Sequence, residues 1–84
     1  MKYIVTALRD EVSKEYLTPS ITISENRAVR DLESVVMTQT AKQEGMFFSH
    51  PSDFSLYKIG YYDSETAEVQ TCTPELLRKV GEIV

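Results

Sequence analysis

Residues 50–73 read His50-Pro51-Ser52-Asp53-Phe54-Ser55-Leu56-Tyr57-Lys58-Ile59-Gly60-Tyr61-Tyr62-Asp63-Ser64-Glu65-Thr66-Ala67-Glu68-Val69-Gln70-Thr71-Cys72-Thr73. Two extended segments rich in aromatic and β-branched residues flank a polar turn, Asp63-Ser64-Glu65-Thr66, which is the pattern of a β-hairpin. In the first segment, Phe54–Asp63, strict alternation sets Leu56, Lys58, Gly60 and Tyr62 on one side and Tyr57, Ile59 and Tyr61 on the other. Gly60 within a strand marks a bulge or a close approach by another chain. The second strand of the hairpin is expected over about 67–72, and His50–Asp53 reads as a turn leading in.

Upstream of the hairpin the chain supplies material to cover it. Residues 2–8 alternate, with Ile4, Thr6 and Leu8 facing one way and Tyr3, Val5 and Ala7 the other. A strand apolar on both faces is usually central in its sheet. Residues 9–18 are charged and lack a helical stripe, so they read as a loop with a short extended piece at Glu15-Tyr16-Leu17. Ile21 and Ile23 alternate with Thr22 and Ser24, which fits a short edge strand. Ser24 followed by Glu25 is a helix start: the hydroxyl accepts from free backbone N–H groups and the carboxylate suits the positive end of the dipole. Ala28, Leu32, Val35, Val36 and Gln39 then fall at helical spacing, predicting an amphipathic helix over 25–42. Met46-Phe47-Phe48 is expected to fold back onto the core.

Downstream, Thr73 as N-cap, Pro74 at the first helical position and Glu75 in the first turn predict a second helix. Its apolar face would be Leu76, Leu77, Val80, Ile83 and Val84. The expected fold is therefore α+β, a single domain spanning 1–84: an antiparallel sheet of three or four strands with two helices packed on one face.

A chain of 84 residues buries only about 60–65% of its unfolded surface, so its core is thin. A homodimer through the open sheet face or edge is expected to enlarge it. No apolar run is long enough to span a membrane, and the run after Met1 is broken at once by Arg9-Asp10-Glu11, unlike a secretory leader. Cys72 is the only cysteine, which fits a reducing, cytoplasmic setting. The net charge is −4, from 9 basic and 13 acidic residues, which disfavours tight binding of a phosphate backbone.

The residues for catalysis are missing. His50 is the sole histidine, and one His with one Cys cannot build a zinc site. Cys72 has no assignable base and reads as a packed thiol. Gly45, Gly60 and Gly81 lie too far apart for a phosphate loop. No enzyme activity, cofactor or metal is expected. What remains is the density of rings around Lys58, namely Phe54, Tyr57, Tyr61 and Tyr62. Rings and a cation on a sheet are the ingredients of single-strand binding, although core and subunit-interface roles use the same residues. The candidate contacts are Arg27, Arg30, Lys58 and Tyr61; Lys58 and Tyr61 share a side only at an edge or if the strand bulges at Gly60.

The run His50-Pro51-x-Asp53-Phe54-x-Leu56-Tyr57-x-Ile59-Gly60-x-Tyr62-Asp63 resembles the small nonstructural protein of gokushoviruses, tailless phages with circular single-stranded DNA. Similar features lie at residues 2–5, at Asn26-x-Ala28-x-Arg30-x-Leu32 and at Thr73-Pro74. The sequence departs at Ala67, where many members carry glycine after the turn threonine. The resemblance implies a noncatalytic phage protein, named for DNA binding, with a role in synthesis or packaging of a single-stranded DNA genome. It brings no catalytic residues. The expected partner is single-stranded DNA; the alternative is a module that binds a host or viral protein and never touches DNA.

Overall fold

The computed structural model describes residues 1–83. The elements run β1 (Lys2–Asp10), β2 (Glu15–Tyr16), β3 (Ser20–Thr22), α1 (Glu25–Lys42), the one-turn α2 (Met46–Ser49), a 3-10 turn (Pro51–Asp53), β4 (Phe54–Asp63), β5 (Glu68–Lys79) and a second 3-10 turn (Val80–Glu82). The sheet has the order β2-β1-β4-β5, with β3 pairing β1 beside β2, and every pairing is antiparallel. It is thus an α+β fold with five strands, two of them very short.

Helix α1 begins where its cap dictates. Ser24 Oγ accepts from the Arg27 N–H at 3.1 Å, satisfying one of the first-turn donors that lack a helical partner. Ala28, Leu32 and Val36 are the buried stripe. They meet Ile4, Phe47, Phe54, Leu56 and Val80 in the core, with Leu8, Tyr61, Leu77 and Ile83 packed at its margin. The chain then reverses through Gln43, which takes a left-handed conformation (φ 54°). The Phe47 N–H donates to Gln39 Oε1 at 2.9 Å. That bond pins α2 against α1 and aims Phe47 edge-on at Phe54, 5.5 Å between centroids.

The predicted second helix does not form. Thr73-Pro74-Glu75 lies inside β5, which continues to Lys79. The local helix-start signal loses to pairing: β4 has ten residues whose outer backbone groups need partners, and β5 supplies them from Asp63↔Glu68 to Ser55↔Lys79. The apolar residues expected on that helix are largely still used. Leu77, left out of register between Leu76 and Arg78, packs at the core margin, and the three-residue repeat of the 3-10 turn puts Ile83 there beside the fully buried Val80. Leu76 falls on the opposite face, and Val84 lies outside the described residues. The sheet face is therefore covered by one long helix and short turns rather than by two helices.

Alternation along β4 is interrupted. Val5 pairs with Gly60 and Thr6 with Lys58, so Ile59 is bulged. On the other side Gly60 faces Thr71 and Lys58 faces Glu75, so three residues, Cys72–Pro74, oppose Ile59. A bulge shifts the side-chain phase by one residue. Tyr61 therefore shares the helix side with Leu56 and Lys58, and Tyr62 joins Tyr57 on the other, reversing the strict alternation expected for both. Gly60 is where β5 comes closest: a β-carbon there would overlap the carbonyl oxygen of Gln70.

The hairpin turn keeps a left-handed residue, Ala67, at φ 59°. Glycine adopts that region without a penalty, whereas an L residue is strained there by roughly 1–2 kcal/mol. Part of the gain from glycine is offset by its greater freedom when unfolded. Ala67→Gly is expected to raise stability by up to about 1 kcal/mol, read as a higher urea midpoint at unchanged slope. A lower midpoint would show that the turn does not strain Ala67.

Candidate nucleic-acid interface

Lys58 sits on the helix side of β4 with only 7% of its surface exposed. Its ammonium donates to Glu25 Oε2 at 3.1 Å, from the first turn of α1, and lies 3.0 Å from Glu75 Oε2 on β5. The Tyr61 ring stands 5.2 Å from the same nitrogen. Tyr61 first, then Glu75 and Glu25, favour the charged form and push the Lys58 pKa upward from 10.5. This cluster ties the helix start to two strands. It also uses the charge internally, so a phosphate would have to displace two carboxylates to reach it.

The four candidate residues do not converge. Lys58 and Tyr61 are neighbours through the bulge at Ile59. Arg27 is exposed and paired with Asp31 at 3.2 Å, one helical turn on. Both line a shallow recess with Tyr3, Ile21, Thr22 and Ile23, not with Lys58. Arg30 is exposed elsewhere on α1. His50 is exposed, its Nδ1 2.9 Å from Ser49 Oγ. Cys72 is half-buried, its Sγ 3.8 Å from the Lys58 carbonyl oxygen. No group of three or more His, Cys, Asp or Glu that could hold a metal occurs among the described residues.

The other face of the sheet carries most of the rings. Register places Tyr3, Val5, Ala7 and Arg9 of β1 there, beside Tyr62, Gly60, Tyr57 and Ser55 of β4. Val69, Thr71, Leu76 and Lys79 of β5 complete the rows, and Tyr16 of β2 stands beside Arg9. Tyr3 and Tyr62 are 6.3 Å apart at 33°. Tyr16 meets Tyr57 edge-on at 5.8 Å, and the Arg9 guanidinium lies 5.4 Å from the Tyr16 ring. Ala7 and Ser55 are buried between these rings. Alternation in the sequence could have found this face had the phase change at Ile59 been visible.

A family model described as Phage ORF5 protein matches residues 3–83, from β1 through the second 3-10 turn. The chain belongs to the phage ORF5 protein family. It is accordingly a small phage-associated protein, and the match takes in both faces of the sheet. No curated protein and no solved structure matches it.

Proposed function

We propose that this phage ORF5 family protein is a noncatalytic accessory protein of a gokushovirus-type phage, acting in the host cytoplasm during synthesis or packaging of a single-stranded DNA genome, and that it contacts single-stranded DNA directly. The observation that carries the reading is the set of four tyrosines on one sheet face. Bases stack on such rings whatever their sequence. The resemblance over His50–Asp63 supports the phage type.

A protein-interaction module is the second reading, favoured by the net charge of −4 and by the exposed apolar side chains of Val69 and Leu76 on the same face. Fluorescence anisotropy of labelled single-stranded DNA at two salt concentrations separates them. DNA contact predicts binding at low salt that weakens as salt rises, because each phosphate contact releases condensed counterions. Flat anisotropy at low salt would leave the protein-interaction reading standing. Lys58 is not a useful site for this test, since its replacement breaks the Glu25–Lys58–Glu75 cluster and perturbs the fold.

A further inference from the structure

The charges of the strands are sorted by face. Asp10 is opposite Phe54, Asp63 opposite Lys2, Glu68 opposite Asp63, Glu75 opposite Lys58 and Glu15 opposite Asp10. All five strand acids therefore lie on the side that carries α1. Of the strand cations on the helix side, Lys58 is engaged with acids as described, Arg78 lies 3.4 Å from Glu33 of α1, and Lys2 is opposite Asp63 in the register. The helix-free side holds Arg9 and Lys79, aligned across Ser55 in one row, and no strand acid. An acidic protein thus has one acid-poor face, and that face is the one bearing Tyr3, Tyr16, Tyr57 and Tyr62.

We infer that the helix-free face is a stacking surface for single-stranded DNA, in which the Tyr3–Tyr62 and Tyr16–Tyr57 pairs receive bases and Arg9 with Lys79 receive phosphates. The inference rests on the DNA-contact reading and gives it a site, on the side of the sheet away from Lys58, Tyr61 and α1. Tyr62 is opposite Tyr3 and Tyr57 opposite Ala7, four residues apart on β1, so the two ring pairs are separated by roughly 13 Å at the rise of an extended strand. That is room for a few nucleotides running along the strands, with the cation row at the Tyr16–Tyr57 end. Arg9 is available for such a contact. Its only ion-pair partner among the described residues is Glu11, in the loop after β1, at 3.6 Å, and its guanidinium is set beside the Tyr16 ring. Charge complementarity selects a polyanion over a second copy of the same face, which would set Arg9 and Lys79 against cations of their own kind. Unpaired bases are what tyrosine rings accept, whereas duplex DNA keeps its bases stacked on each other.

The chain has no tryptophan and five tyrosines, so tyrosine emission reports on this face through all of them but Tyr61. The experiment titrates the full protein with fluorescein-labelled oligothymidylate at low and physiological salt, reading anisotropy and tyrosine quenching. It compares the parent with Tyr62→Leu and with Lys79→Ala, each checked by circular dichroism and light scattering. The expected result is quenching in the parent and an affinity loss of about 5- to 150-fold for Tyr62→Leu, the range for one stacked ring. Lys79→Ala should lower the salt slope by about 0.7, one phosphate on a single strand. Parent-like binding by both folded variants overturns this site while the DNA-contact reading stands. No binding by the parent at low salt removes the reading itself, and the site with it. A dimeric parent that Tyr62→Leu converts to a monomer, with oligothymidylate binding unchanged, assigns the face to a second copy and also overturns the inference.

Discussion

Phe54→Ala is expected to bring this protein to the edge of unfolding. Phe54 opens β4, is buried at 8% exposure, and fills the corner between the sheet and Phe47. Truncation removes the ring from the core and leaves a cavity that the neighbours cannot close. Phe47 is held from behind by the Gln39 hydrogen bond, and β4 is paired on both sides. Deleting a buried phenylalanine side chain costs about 3–5 kcal/mol. A domain of 84 residues has roughly 4–13 kcal/mol in total, at 0.05–0.15 per residue. The loss is therefore about a quarter of the stability at one extreme and all of it at the other. Urea denaturation followed by far-ultraviolet circular dichroism measures it. A midpoint within error of the parent would mean that the Phe47–Phe54 corner is not part of the core.

Gly60→Val is expected to have a comparable effect for the opposite reason. Here nothing is removed; there is no room. The backbone carbonyl of Gln70 occupies the place of a side chain, and a backbone atom cannot swing aside as a rotamer does. Hydrogen bonding between β4 and β5 around Gly60↔Thr71 must yield. Overpacking ordinarily costs about 1–3 kcal/mol, and an obstacle fixed in a paired strand puts this case at or above the top of that range. Hydrogen exchange separates the mechanism from general destabilisation: protection should fall first at Gln70 and Thr71, before it falls in α1. Uniform loss of protection would contradict the local clash.

The parts of the fold that were legible in the sequence are those governed by local chemistry. Helix α1 has its boundaries where Ser24 and the Ala28-Leu32-Val36 spacing place them, because the cap and the stripe both lie within the element. The short strands at Glu15-Tyr16 and Ser20–Thr22 were readable for the same reason. The end of the chain was not. Thr73-Pro74-Glu75 satisfies every local rule for a helix start, and only the unpaired side of β4 decides against it, a demand made from more than ten residues away. The candidate site failed in the same manner. Lys58 looked like a cation offered among rings, but its partners Glu25 and Glu75 come from distant elements, and no pattern around residue 58 announces them. The bulge had a local hint in Gly60, yet its consequence, the exchange of Tyr61 and Tyr62 between faces, required knowing which residue would be extruded.

Pro74 has a second consequence once it is seen in β5 instead of a helix. The outer edge of β5 is the longest unpaired edge of the sheet. Such an edge is a template on which another chain can add a strand and, by repetition, grow a fibre. Proline offers no N–H to an incoming strand, and it stands at the end of the three-residue irregularity opposite Ile59. The free edge is thereby cut into two short runs, Glu68–Thr71 and Glu75–Lys79, each opening on a glutamate. The residue that imitates a helix start thus interrupts the edge on which another chain could add a strand.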